Sequence, residues 1–169
     1  MLACAAPSFA QPAKPPPKPA APAASGAPQE LGKFEDWIAA THKEGGQTVC
    51  YAFTRARNSV PALPGRGEVV LTVAQRPSGR DAVAIGAGFE YRKGAAVTLQ
   101  VDTAGLDFYT SQHNAFARDG KATVAAFGKG SQAIARSPGQ RDGQTIVDTF
   151  SLRGFSAAYA AISKACPER

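Results

Sequence analysis

No stretch of about twenty consecutive apolar residues occurs in the chain, so nothing in it reads as a membrane-spanning helix. Histidine is scarce. The two, His42 and His113, are far apart and stand in no HxxxH-like spacing, so each reads as a surface residue rather than a metal ligand. Aromatic residues make up 8% of the 169 residues, and much of the 44% hydrophobic fraction is alanine and valine. A core built from such material is thin. It suits a sandwich of small and β-branched side chains better than a large ligand-enclosing fold. The length allows one domain with a serviceable core.

Motifs for familiar chemistry are missing too. There is no GxSxG elbow for a nucleophilic serine. Gly128-Lys129-Gly130-Ser131 has glycine where a phosphate-cradling loop needs its lysine followed by a hydroxyl, and the upstream glycine is absent. Gly86-x-Gly88 lacks the third glycine and the following helix of a dinucleotide motif. Glu35 and Asp36 are adjacent, and strand alternation would send them to opposite faces, so they do not form an acid–base pair. The three cysteines have no cysteine or histidine partner at ligand spacing. The reading is a protein that is not an enzyme, with no catalytic, cofactor-binding or metal-binding residues and no cofactor.

The chain carries a net charge of +6, with an isoelectric point near 9.5. That favours acidic partners, but the charges are scattered singly rather than in runs. The densest basic residues are Arg55, Arg57 and Arg66, and again Arg136 and Arg141. If the Cys50 and Arg136 strands are neighbours, these five form one rim for an anionic partner; the bland alternative is a solvated loop region. Single-strand nucleic-acid binding would want aromatics interleaved with the arginines. Tyr51 and Phe53 are near, but they read as core, so no nucleic-acid partner is expected. The expected partner is an unidentified protein or an anionic envelope or host surface. Peripheral membrane association fits this picture, and the domain is expected to be monomeric.

Residues 1–10, MLACAAPSFA, are small and apolar and end in Ser8-Phe9-Ala10, a signal-peptidase-like pattern. They read as the remnant of a signal peptide. Cys4, after Leu2-Ala3, partly resembles a lipidation site, which is the alternative. Residues 11–30 hold seven prolines and read as a disordered Pro/Ala-rich tether. If Cys4 leaves with the signal, Cys50 and Cys166 remain as an even pair. In an oxidising compartment such a pair bonds; two buried free thiols are the alternative. A periplasmic or secreted location follows from this reading.

From residue 31 to 169 strand signals recur at roughly ten-residue intervals. They fall at Asp36–Lys43, Thr48–Arg55, Glu68–Gln75, Ala82–Ala87, Val97–Asp102, Asp107–Thr110, Ser131–Arg136 and Thr145–Leu152. Val97, Leu99 and Val101 alternate inward. Asn58–Arg66, with Pro61, Pro64 and Gly65, reads as a loop. Lys121–Phe127 reads as a short helix stopped by Gly128. Phe155, Ala158, Tyr159 and Ile162 recur at helical spacing before Pro167. Trp37 reads as a core anchor. The fold expected is mainly β, an antiparallel β-sandwich with a short C-terminal α-helix.

Asp148-Thr149-Phe150-Ser151-Leu152-Arg153-Gly154-Phe155, followed by Ser156-Ala157-Ala158-Tyr159 and Cys166, resembles the C-terminal signature of the invasion-associated locus B family. Trp37 ahead of Cys50-Tyr51, Gly86-Ala87-Gly88-Phe89 and Gly130-Ser131 agree with it. The resemblance spans about residues 34–166. In the Asn114–Ala117 stretch this chain has Phe116 where the family pattern has tryptophan. The resemblance implies an Ig-like β-sandwich exported to the bacterial envelope, associated in some pathogens with host-cell invasion. It brings no catalytic residues with it. The function expected is a noncatalytic envelope interaction module. The alternatives are a structural envelope-integrity or stress protein, and an envelope enzyme or inhibitor using a groove beside Trp37.

Overall fold

The computed structural model describes residues 26–168. The signal remnant, Cys4 and residues 11–25 of the tether lie outside the described residues. Eleven strands and two helices follow in order. The strands are β1 (Gln29–Phe34), β2 (Trp37–Glu44), β3 (Gln47–Arg55), β4 (Asn58–Val60), β5 (Val70–Arg76), β6 (Gly79–Gly86), β7 (Ala96–Val101), β8 (Ala104–Ser111), β9 (Asn114–Ala117), β10 (Gln132–Pro138) and β11 (Thr145–Ser151). Helix α1 (Gly120–Phe127) lies between β9 and β10, and α2 (Phe155–Ala165) follows β11. All pairings are antiparallel, in the order β1-β2-β3-β5-β6-β9-β8-β7-β10-β11-β4.

The fold is therefore mainly β with a C-terminal helix, as its strand spacing implies. The order conceals a closure. β4 ends the sheet, yet only Ala56 and Arg57 separate it from β3 near the other end. Ala56 N–H still donates to the Val69 carbonyl at 2.9 Å, while Arg57 N–H donates to the Thr149 carbonyl of β11 at 2.8 Å. The strand changes partners at that point, and the sheet rolls over a single core in the manner of a sandwich.

Tight hairpins set the registers. Gly45 and Gly46, both with positive φ (56° and 80°), form the two-residue turn between β2 and β3. That backbone sequence matches strand twist and costs glycine little. On β7 the alternation holds: Val97, Leu99 and Val101 are buried between exposed Thr98 and Gln100. Helix α1 is capped by Asp119, whose carboxylate accepts from Ala122 N–H at 2.9 Å.

Several expectations are corrected. The folded part begins at Gln29, because β1 pairs with β2 from Gln29↔Thr41 onward, so two residues assigned to the tether belong to the sheet. The loop expected at Asn58–Arg66 opens with β4, whose three residues pair with Val147–Thr149 before Pro61 removes a donor. Asn114–Ala117, not anticipated as a strand, is β9, held by β6 and β8. On β3 the inward face carries Cys50, Ala52 and Thr54, while Tyr51 and Phe53 are half-buried on the outside. Small inward residues leave room for α2, which packs on β1, β2 and β3 and is bonded to Cys50. The aromatics are thereby turned outward, where His42 meets Tyr51 edge to face, Tyr51 stacks on Phe53, and Arg55 lies over the Phe53 ring at 5.6 Å.

The core gathers Trp37, Phe127 and Phe155, with ring centroids 5.0–6.4 Å apart, beneath Leu71, Ile85, Leu99, Ile146 and Phe150. Trp37 is fully buried, as a core anchor. Gly154 precedes α2 with φ +86°, and a Cβ there would collide with the Phe34 carbonyl. Gly154→Ala is expected to cost about 1–3 kcal/mol from the left-handed backbone alone, with the steric clash added. Urea unfolding of the variant measures this, and an unchanged midpoint would show that β1 moves aside freely.

Candidate functional site

The DTFSLRGF segment is where the fold concentrates its polar bonds. Asp148, on β11, is 4% exposed at its side chain and receives a two-pronged bond from Arg66, itself 6% exposed, with both contacts at 2.8 Å. Ser59 Oγ donates to the same carboxylate at 2.7 Å, and Arg66 Nε donates to the Ala87 carbonyl at 2.7 Å. The guanidinium lies 5.0 Å from the Phe89 ring centroid. The pair thus has satisfied donors and acceptors on every side, as a buried ion pair requires. It links the 61–69 connection, the Gly86–Phe89 stretch and β11. Next to it, burial and the neighbouring Asp148 charge push the Tyr91 hydroxyl up to about 12.

Three residues on, Ser151 joins the two ends of the folded part. Its carbonyl accepts from Trp37 Nε1 at 3.0 Å, and its hydroxyl donates to Asp36 at 2.6 Å. That hydroxyl holds the Asp36 carboxyl below the usual carboxylate range against the opposing effect of burial, helped by the charges of Arg57, Arg153 and Lys33. Arg153 and Glu35 pair at 3.3 Å on the surface. Glu35 and Asp36 thus form the β1–β2 turn and serve its closure.

Cys50 and Cys166 form a disulfide, with Cα atoms 6.0 Å apart and a sequence separation of 116. Cys50 is fully buried, and Cys166 follows α2, so the bond pins that helix to β3. The helix is also held by Tyr159, whose hydroxyl donates to Asp81 at 2.7 Å. Gln75 stitches the same carboxylate and the Asp81 N–H to the bulge between β5 and β6, at 2.7 and 2.9 Å. Burial, ahead of the Asp81 contact, raises the Tyr159 hydroxyl above its ordinary value.

The five arginines expected to form one rim are divided. β3 and β10 are not neighbours in the sheet. Arg66 is consumed by Asp148 inside the protein. Arg55 and Arg57 border a small hollow with Lys33, but Arg55 pairs with Glu68 at 2.8 Å and Arg57 with Asp36 at 3.5 Å. Arg136 and Arg141 do come together, with Arg92, around a hollow of about 360 Å³ at the β10–β11 hairpin. Arg92 pairs with Asp142 at 2.6 Å, and Arg136 donates to Gln100 at 3.0 Å. Arg141 has no carboxylate within ion-pair distance among the described residues. Arg92 lies in the β6–β7 connection, and its convergence with β10 depends on the sheet order.

A second concavity, about 710 Å³, lies beside the disulfide and is lined by Lys43, Arg76, Arg80, Cys166 and Glu168 among others. None of its cations was singled out by the sequence, because they come from two turns far apart in sequence, β2–β3 and β5–β6. Among the described residues no group of three or more histidine, cysteine or acidic side chains is placed to hold a metal.

A rolled antiparallel sheet, locked to a C-terminal helix by a disulfide and by an Asp–Thr–Phe–Ser–Leu–Arg–Gly–Phe seam, defines a small β domain closed from its C-terminal end. The model of the invasion associated locus B (IalB) protein family matches residues 37–163, and the chain belongs to that family. Among solved structures, the chain resembles the crystal structure of invasion associated protein b from Bartonella henselae. The TM-score is 0.60 and the identity 19%, covering 79% of this chain and 95% of that one. A comparison with curated proteins gives no match.

Asp148→Ala strands the Arg66 guanidinium in the interior and is expected to cost about 3–5 kcal/mol, read as a loss of unfolding free energy in urea. A cost below 1 kcal/mol would mean that water reaches Arg66. Cys50→Ser is expected to lower stability by roughly 4–5 kcal/mol, the chain-entropy value for a loop of this size, under oxidising conditions only. Equal melting temperatures of variant and wild type without reductant would refute the stabilising role of the bond.

Proposed function

We propose that this chain is an exported, noncatalytic interaction module of the bacterial envelope that engages an anionic surface through the hollow of Arg92, Arg136 and Arg141. The observation that carries this reading is the convergence of three guanidinium groups on one concave patch, two from the β10–β11 hairpin and one from the β6–β7 connection, with Asp142 the carboxylate paired there. Guanidinium forks suit phosphate and carboxylate groups held in a surface. Because the patch is solvent-facing, its attraction should fall with ionic strength.

The noncatalytic reading is supported by where the polar groups of the signature go. Asp148, Ser151 and Asp36 spend their bonds on Arg66, Trp37, Ser59 and one another, which leaves them serving closure of the fold. Export is supported by the Cys50–Cys166 bond, since disulfides persist in oxidising compartments. The invasion association carried in the family's name is part of the proposal: an anionic host or envelope surface is the partner class the hollow fits.

Binding to immobilised lipopolysaccharide and to heparin tests the reading. Arg136→Ala/Arg141→Ala is expected to weaken binding roughly tenfold at low salt, with the fold intact, and wild-type binding should weaken steeply as salt rises. Binding that ignores salt, binding that survives the double substitution, or no binding at all would overturn it.

A further inference from the structure

The cleft beside the disulfide shares no lining residue with the arginine hollow. One wall is the β2–β3 turn with Lys43 and Thr48, another the β5–β6 turn with Pro77 and Arg80, and the third the C-terminal run through Cys166 and Pro167. Three cations line it. Arg76 is neutralised by Glu44 at 3.0 Å. The other two are held by neutral oxygens. The Lys43 ammonium donates to Thr48 Oγ1 at 2.7 Å, and the Arg80 guanidinium donates to the Cys166 carbonyl. Both cations are thus positioned without their charge being cancelled, and among the described residues Glu168 is the one acid lining the space.

We propose that this cleft binds a small ligand bearing a phosphate or carboxylate group, held between Lys43 and Arg80. The volume, about 710 Å³, falls in the range of small-molecule sites. Pro77, Ala165 and Pro167 supply apolar wall beside the charges. The walls are fixed before any ligand arrives. The disulfide ties Cys166 to β3 two residues from Thr48, and Arg80 ties the β5–β6 turn to the same C-terminal run. Prefixed walls spare a ligand the entropy of ordering them. The concave shape suits a free anion better than the headgroup of a flat bilayer.

Amide NMR of the full chain, titrated separately with inorganic pyrophosphate and with citrate, tests this. Saturable shifts at Gly46, Gly79 and Cys166 with either anion are expected. Lys43→Ala and Arg80→Ala should each weaken the saturating anion about tenfold, and Glu168→Gln should tighten it. Lys43→Ala leaves the Arg80–Cys166 contact in place, so it separates loss of charge from loss of the wall. Absence of saturable shifts at these amides with both anions, or an unchanged affinity in Lys43→Ala, overturns the site. Phosphatidylglycerol vesicles should leave the same amides unmoved; equal shifts with vesicles would overturn the free-ligand assignment. Arg136→Ala/Arg141→Ala should not alter these shifts, so this site and the surface hollow succeed or fail independently.

Discussion

The bond from the Trp37 indole to the Ser151 carbonyl sits where the first hairpin of the sheet meets its last long strand. Trp37 opens β2 and Ser151 closes β11, 114 residues later. A fully buried indole N–H must find an acceptor or lose the free energy of a hydrogen bond. Here the acceptor is supplied by rolling the sheet until β11 lies against the start of β2. Once that contact exists, Ser151 Oγ can reach Asp36, Gly154 can turn under Phe34, and Phe155 can enter the ring cluster beside Trp37 and Phe127. Helix α2 is then launched in the one direction that brings Cys166 to Cys50.

The Arg66–Asp148 pair does for the opposite side of β11 what Ser151 does for its end. The 61–69 connection is rich in proline and glycine and has little apolar surface with which to anchor itself. A desolvated guanidinium with every prong matched supplies a directional anchor instead. The surface ion pairs have a different standing. Arg55–Glu68 and Arg76–Glu44 are solvent-exposed and contribute little to stability. Their effect is on the surface field, since they cancel cations that would otherwise face a partner.

That cancellation decides which basic regions remain available. Around Arg55 and Arg57 each positive charge has an acid close by, so the patch is near neutral despite its composition. Arg136 at the β10–β11 hairpin, and Lys43 and Arg80 beside the disulfide, are held by amide, hydroxyl or carbonyl oxygens and keep their charge. The outer face of β2 and β3 carries a ladder of half-buried His42, Tyr51 and Phe53 with Arg55, where the rings and the guanidinium contact one another.

Much of the architecture was legible locally. Two-residue alternation located β7, helical spacing located α2, and cysteine parity located the disulfide. These signals depend on neighbours within a few residues, so no folded context is needed to read them. β4 and β9 escaped because strands of three and four residues carry too little period to register, and they exist through their partners. The face of β3 was misassigned for a related reason. Its alternation showed two sets of side chains, but which set is inside depends on the helix that covers it, and that helix arrives from the far end of the chain. The same holds for charge. The sequence by itself determined how many arginines there are and where along the chain they fall. Only the tertiary structure decided that Arg66 is an internal strut, that Arg92 joins Arg136 and Arg141, and that Lys43 and Arg80 share a cleft, because pairing and desolvation act through space between residues that sequence distance keeps apart.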